Sequence, residues 1–201
     1  MNNPDLLIYV VHAAFWGCFG LTRLLVREPA RVAANAGPDA PVADQEHTAN
    51  FSRLVLAVHV LAFGIMYFGI GAAVLSNRVP TWFPGQRIVG TCVIAVGAAL
   101  SAWALMHFRS WRLRAKLDQG HELATEGPFR LMRHPIYMAL NLLALGTAIW
   151  VPTGVEWVAL ALMFSGGDLR ARSEETILAQ AFGAEYTDYC ARTKRFIPLV
   201  Y

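Results

Sequence analysis

Two short clusters in this chain hold the residue types and spacing that chemistry needs. The first is Gly127-Pro128-Phe129-Arg130-Leu131-Met132-Arg133-His134-Pro135-Ile136-Tyr137, and the second is Arg170-Ala171-Arg172-Ser173-Glu174-Glu175. Proline lacks an amide hydrogen and is tolerated in the first turn of a helix, so Pro135 marks a helix start. The free amides and positive dipole end of that helix then lie beside Arg133 and His134, a place that attracts a carboxylate or a phosphate. The second cluster adds anions to cations.

The elements that must position these clusters are apolar. Of 201 residues, 56% are hydrophobic and only 15% charged, and the mean hydropathy is +0.40. That is too apolar for a soluble domain of this size. A membrane-spanning helix needs about 20 mainly apolar residues. The chain offers such runs at roughly 6–26, 54–76 and 88–108, followed by shorter ones at 136–151 and 154–169. Val151-Pro152-Thr153-Gly154 separates the last two by a tight turn, so they read as a helical hairpin. Beyond Arg170, Glu174, Glu175, Glu185 and Asp188 alternate with Ile177, Leu178, Phe182, Tyr186 and Tyr189 at helical spacing, which predicts an amphipathic surface helix.

The sequence therefore predicts an all-α integral membrane protein of about five transmembrane helices, the last two a hairpin, with a cytoplasmic C-terminal amphipathic helix. Residues 1–110 would hold three spans and a polar cytoplasmic loop at about 27–50. Residues 111–201 would hold the hairpin, the C-terminal helix and both charged clusters, and so form the candidate catalytic region. Of 17 basic residues, only Arg78 and Arg87 fall between the second and third spans. By the positive-inside rule the N-terminus lies outside and both charged clusters face the cytoplasm, while Trp82 and Phe83 suit the outer interface. The compact size suits a bacterial inner membrane.

Other features are read more plainly. The net charge of +3 follows from topology and anionic headgroups, and no arginine–aromatic stripe points to nucleic acid. Cys18, Cys92 and Cys190 are scattered and imply neither disulfide nor metal site. Asp5 precedes the first span and no small-residue cleavage site follows it, so that span reads as retained rather than as a signal peptide. His12 and His59, alone in apolar spans, read as core or pore-facing histidines rather than ligands. Gly69-Ile70-Gly71 reads as small-residue helix packing. Asn141, one turn beyond Tyr137, shares its face, while Glu156 near the outer surface is expected to be solvated. The sequence sets no oligomeric state.

His121-Glu122-Leu123-Ala124-Thr125-Glu126-Gly127-Pro128-Phe129, Arg133-His134-Pro135-Ile136-Tyr137, Arg170-Ala171-Arg172-Ser173-Glu174-Glu175 and Phe182-Gly183-Ala184-Glu185-Tyr186, in that order, resemble the isoprenylcysteine carboxyl methyltransferase family and its phospholipid methyltransferase relatives. The likeness covers roughly the last 90 residues. It implies a membrane-embedded enzyme that takes S-adenosylmethionine from the cytosol and a lipophilic carboxylate, thiol or amine from the bilayer. By that resemblance His121, Glu122, Leu123 and Ala124 line the cofactor site, largely through backbone, and Phe129, His134, Pro135, Ile136 and Tyr137 complete it. Glu174 binds the cofactor's charged amino-acid end, and Arg170 orients the acceptor, with Asn141 in reach of it.

Elementary chemistry agrees, because this cofactor carries a sulfonium, an ammonium, a carboxylate and an adenine. Glu174, Arg133 with the helix terminus, and Phe129 with Tyr137 supply an anion, a cation and an aromatic wall. Methyl transfer demands alignment and exclusion of water more than acid–base work. A carboxylate or thiolate acceptor needs no base, whereas an amine would give its proton to Glu175 or His134. Phe129 and Ala139 depart from the tyrosine and glycine common in the family. Two other readings compete. Membrane sterol reductases have a similar C-terminal half and use NADPH, but Ile136 replaces their usual asparagine. A non-catalytic scaffold or transporter would treat both clusters as structural.

Overall fold

A computed structural model describes residues 4–26, 42–107 and 123–201, with the backbone alone for residues 42–55. Among the described residues the chain is helical: α1 (Leu7–Leu25), α2 (Val42–Leu75), α3 (Gln86–His107), α4 (Pro135–Trp150), α5 (Gly154–Phe182) and α6 (Ala184–Arg192), with 3-10 turns at Pro4–Leu6 and Gly127–Arg130. Pro4–Leu25, Leu56–Leu75 and Gln86–His107 are long and apolar enough to cross a bilayer, and α4 is a shorter apolar helix. The chain is an integral membrane protein.

Helix α4 starts as its sequence dictates. Pro135 occupies the first turn after His134, and the first turn closes with the Met138 amide on the His134 carbonyl at 3.1 Å. Thr153 caps α5 by accepting from the Glu156 amide at 3.5 Å. The fifth expected span, 154–169, is only the first half of α5, which continues for 29 residues to Phe182. Nothing between Gly167 and Phe182 breaks a helix, and the i,i+4 pairs Asp168–Arg172 and Arg170–Glu174 support it. The tail helix expected from Arg170 is thus divided. Its first part belongs to α5, Gly183 at φ 50° ends that helix, and α6 follows. Helix α2 begins at Val42, inside the stretch 27–50 expected to be a loop, and residues 27–41 lie outside the described ones.

In space α1 packs on α3, α3 on α4, α4 on α5 and α5 on α2. Lipid offers no hydrophobic contrast, so membrane helices associate by close packing and interhelical hydrogen bonds. Both devices are present. A Cβ on Gly90 would lie 2.7 Å from the Gly146 carbonyl oxygen, so α3 and α4 touch backbone to backbone. His12 pairs with the hydroxyls of Tyr67 at 3.1 Å and Thr147 at 2.9 Å, tying α1 to α2 and α4. At about 0.6–2 kcal/mol for each such bond, His12 is the core histidine its surroundings predicted. At the end of the bundle where α3 and α5 begin, Arg87 grips Asp5, and Trp82 stacks on Trp157 at 6.0 Å. Glu156 departs from expectation: it is 1% exposed rather than solvated, packed where a Cβ on Gly69 of α2 would be.

Candidate active site

The two clusters meet at one end of the bundle because α4 begins there and α5 passes through it. Glu174 and Glu175, adjacent on α5, face different partners. Glu175 is a hub: Arg133 donates to Oε1 at 2.9 Å, and Arg195 donates to both oxygens, at 3.0 and 2.7 Å. His134 Nε2 lies 3.2 Å from the same Oε1. Burial works to raise this carboxyl, but the hydrogen bonds from His134, Arg195 and Arg133 outweigh it and hold Glu175 well below the usual carboxylate range. The reciprocal hydrogen bond to Glu175 raises Arg195 above its usual value, so both stay charged.

Glu174 accepts from the Tyr137 hydroxyl at 2.5 Å and from Arg170 at 3.3 Å. Its second oxygen lies 3.7 Å from His134 Nδ1. The His134 ring therefore stands between the two glutamates, stacked on Tyr137 at 5.7 Å. The Arg170 guanidinium lies over Tyr137, 5.9 Å from its centroid. A third carboxylate, Asp168, accepts from Arg172 at 2.7 Å, Arg195 at 2.9 Å and the Tyr201 hydroxyl at 2.8 Å. Four guanidiniums thus meet three carboxylates.

The segment after α6 closes the cluster. The amides of Arg133 and His134 donate to the carbonyls of Lys194 and Arg195 at 2.8 and 3.0 Å, which fixes the loop before α4 against residues 193–201. Phe196 is fully buried and packs edge-on against His134 at 6.1 Å. The Tyr189 hydroxyl donates to the Phe129 carbonyl at 2.8 Å, tying α6 to the turn Gly127–Arg130.

Most of the residues singled out in the sequence converge. Arg133, His134, Tyr137, Arg170, Glu174 and Glu175 form the polar cluster. Phe129 and Ile136 pack with Ala104 and Leu105 of α3, and Ala124 and Phe19 lie against them, giving an apolar wall beside it. Pro135 is buried at the α4 start and Leu123 is half-buried. His121 and Glu122 lie outside the described residues. Asn141 is buried, with neither amide atom hydrogen-bonded among the described residues. Sequence reasoning missed Asp168, Arg195, Phe196 and Tyr201. Asp168 had a signal, its i,i+4 spacing to Arg172; the long-range pairing of Arg195 had none.

The arrangement fits a ligand that bears charges of both signs and an aromatic end. Glu174 retains 28% side-chain exposure against 16% for Glu175, so it is the carboxylate open to a cationic group. Arg170 and the α4 terminus offer the positive side, and Ala124, Phe129 and Ile136 offer the apolar wall.

The phospholipid methyltransferase family model matches residues 86–185. A probable protein-S-isoprenylcysteine O-methyltransferase of Oryza sativa subsp. japonica is 30% identical over 155 residues, which cover 74% of this chain and 80% of that protein. Protein-S-isoprenylcysteine O-methyltransferase B of Arabidopsis thaliana is 29% identical over 129 residues, 59% of this chain and 66% of its own. The cobalt-zinc-cadmium resistance protein CzcN of Cupriavidus metallidurans is 38% identical over 84 residues, 40% of this chain and 37% of its own.

Proposed function

We propose that this chain, which belongs to the isoprenylcysteine carboxyl methyltransferase and phospholipid methyltransferase family, methylates a carboxylate on a lipophilic acceptor that arrives from the bilayer, with S-adenosylmethionine as donor. Family membership makes the chain a membrane methyltransferase of the isoprenylcysteine type. The observation that carries the proposal is the environment of Glu174: a partly exposed carboxylate, oriented by Tyr137 and Arg170, beside an apolar wall.

When bound, S-adenosylmethionine supplies a methyl group made electrophilic by its sulfonium. Glu174 would hold the ammonium of the amino-acid end, and Tyr137 and Arg170 keep that carboxylate in place by donating to Oε1. Phe129, Ile136 and Ala124 would cover the adenine and keep water away, joined by Leu123 and by the backbone of His121 and Glu122. Pro135 and His134 set the helix terminus at which the cofactor carboxylate would rest.

Arg170 would turn the acceptor carboxylate toward the methyl group. Glu175 is a poor proton acceptor, since the Arg133 and Arg195 guanidiniums hold it ionised. Its role is to hold Arg133 and Arg195, and through them the loop before α4. With Glu175 engaged in this way, the site suits an acceptor that is already an anion, which favours a carboxylate over an amine. The names of the Oryza and Arabidopsis relatives point the same way, since those two are O-methyltransferases. Asn141 would line the acceptor path above Tyr137. The basic residues around this end favour a cytoplasmic orientation with the N-terminus outside, as in a bacterial inner membrane.

Calorimetric titration of the full chain in detergent with S-adenosylhomocysteine, with NADPH as control, tests the donor. Micromolar binding of the first alone is the expected result; binding of NADPH alone moves the chain to reductase chemistry, and binding of neither moves it to a scaffold. Glu174→Ala should weaken S-adenosylhomocysteine at least tenfold, roughly 1.4 kcal/mol. Arg170→Ala should lower turnover far more than affinity. Equal loss of affinity in both refutes the division of roles.

A further inference from the structure

Tyr137 has a neighbour that the polar cluster does not include. His59, on α2, is 7% exposed, and its ring centroid lies 6.1 Å from that of Tyr137, the planes inclined at 42°. Its place is made by two consecutive glycines of α5. A Cβ on Gly166 would lie 3.0 Å from His59 Nδ1, and one on Gly167 would lie 3.7 Å from Tyr137 Cβ and 4.0 Å from His59 Nε2. Any side chain at 167 would therefore project between the imidazole and the tyrosine. The sequence leaves that space between α2, α4 and α5 without one.

The slot lies on the membrane side of the cluster. Along α2, His59 is followed by Val60 and Leu61, 64% and 55% exposed in an apolar span, and by buried Ala62, Met66 and Ile70. A polar ring in such a helix is costly and marks a functional position by default. On the other side of the cluster, Arg133 and Arg195 are engaged by Glu175, and Arg172 by Asp168. Around the aromatic ring of Tyr137 stand the Arg170 guanidinium at 5.9 Å, which also donates to Glu174 at 3.3 Å, and the His59 imidazole at 6.1 Å. A carboxylate brought to Tyr137 from the bilayer meets two nitrogen donors from two different helices, a complementary setting for an anion.

We propose that His59 is the acceptor-side residue of this site: its imidazole N–H donates a hydrogen bond to the carboxylate of the lipophilic acceptor, opposite Arg170, in the slot opened by Gly166 and Gly167. The proposal rests on the methyltransferase reading above. His59 also lies outside residues 86–185, the part matched by the family model, so acceptor choice would be set by a helix that the donor site does not use.

The test uses the full chain in nanodiscs, with ring-15N-labelled histidine, and S-farnesyl-N-acetylcysteine as probe in the absence of any cofactor. The His59 ring signals, assigned by their loss in His59→Gln, should move on addition of the probe and move less with its carboxamide. In calorimetry, His59→Leu should weaken the probe roughly tenfold and leave S-adenosylhomocysteine within about twofold, while His59→Gln, which keeps an N–H donor, should restore most of the affinity. Ring signals that stay put, or a leucine variant with full probe affinity, overturn the proposal. Equal weakening of probe and S-adenosylhomocysteine overturns it too, since it would mean that His59 only packs α2 against α5. Failure of the wild type to bind S-adenosylhomocysteine would sink the donor reading instead, and the ring response is read independently of it.

Discussion

A double-mutant cycle of Glu175 with Arg195 measures how firmly the Glu175 hub holds the site together. Glu175 and Arg195 share hydrogen bonds at 3.0 and 2.7 Å, with side chains 16% and 13% exposed. Removing one partner of a buried pair costs about 3–5 kcal/mol, because the other charge is left without compensation. Glu175→Gln leaves Arg133 without a carboxylate partner and Arg195 with Asp168 alone, so its loss should be about 3 kcal/mol. Arg195→Gln leaves Glu175 with Arg133 and His134, so its loss should be nearer 2 kcal/mol. The double variant should cost little more than Glu175→Gln alone, a coupling of about 1–3 kcal/mol. Unfolding in nanodiscs, driven by dodecyl sulfate and followed by circular dichroism, supplies all four corners. A depressed carboxyl contributes stability that is present above its unfolded value, about 4.3, and is lost only as pH falls through its lower folded value. The coupling should therefore be the same at pH 7 and pH 5. A coupling below about 0.5 kcal/mol is what a solvent-screened surface pair gives, and that result would refute the hub.

Three further outcomes follow from particular contacts. Tyr137→Phe keeps the ring and removes the donor to Glu174, so the dissociation constant for S-adenosylhomocysteine should rise about 5–15-fold; unchanged affinity by calorimetry would remove that hydroxyl from the pocket. Gly90→Ala places a methyl 2.7 Å from the Gly146 carbonyl and 3.1 Å from Trp150 Cβ, which should lower stability by about 1–3 kcal/mol with no change in the donor's affinity once folded. Glu156→Met replaces a buried carboxyl that has no hydrogen-bond partner among the described residues with an apolar chain of similar length. Unfolding should show a gain of about 1–2 kcal/mol, and a loss would mean that the carboxyl is satisfied in the membrane.

What the sequence could carry depended on range. The α4 start was legible because a proline's missing amide acts locally, and the convergence of Arg133, His134, Tyr137, Arg170 and Glu174 was legible through the family resemblance. The length of α5 was harder. Hydropathy drops at Asp168 and suggests a boundary, but helix continuity depends on breakers, and the chain has none until Gly183. Glu156 was misplaced for a related reason. Its position near a turn suggested solvent, whereas its exposure is decided by Gly69 on another helix, whose missing side chain lets α2 close over it. Arg195 and Phe196 carried no local signal, since both act through the segment that folds back along Met132–His134.

The continuity of α5 has a functional consequence. One rigid element carries Glu156 near its start, the glycine pair beside His59 further along, and Arg170, Glu174 and Glu175 at the charged end. A helix rises 1.5 Å per residue, so Gly167 and Glu174 are separated by roughly 10 Å along its axis. A break at the charged cluster would have left the membrane slot and the polar site on separate bodies, free to shift against each other. With one helix, both are held in a fixed register against Tyr137 of α4, which touches the two at once. Because methyl transfer is limited mainly by alignment, an unbroken α5 supplies what the chemistry most requires, and the ion pairs of the second cluster maintain the helix through the region where its apolar character ends.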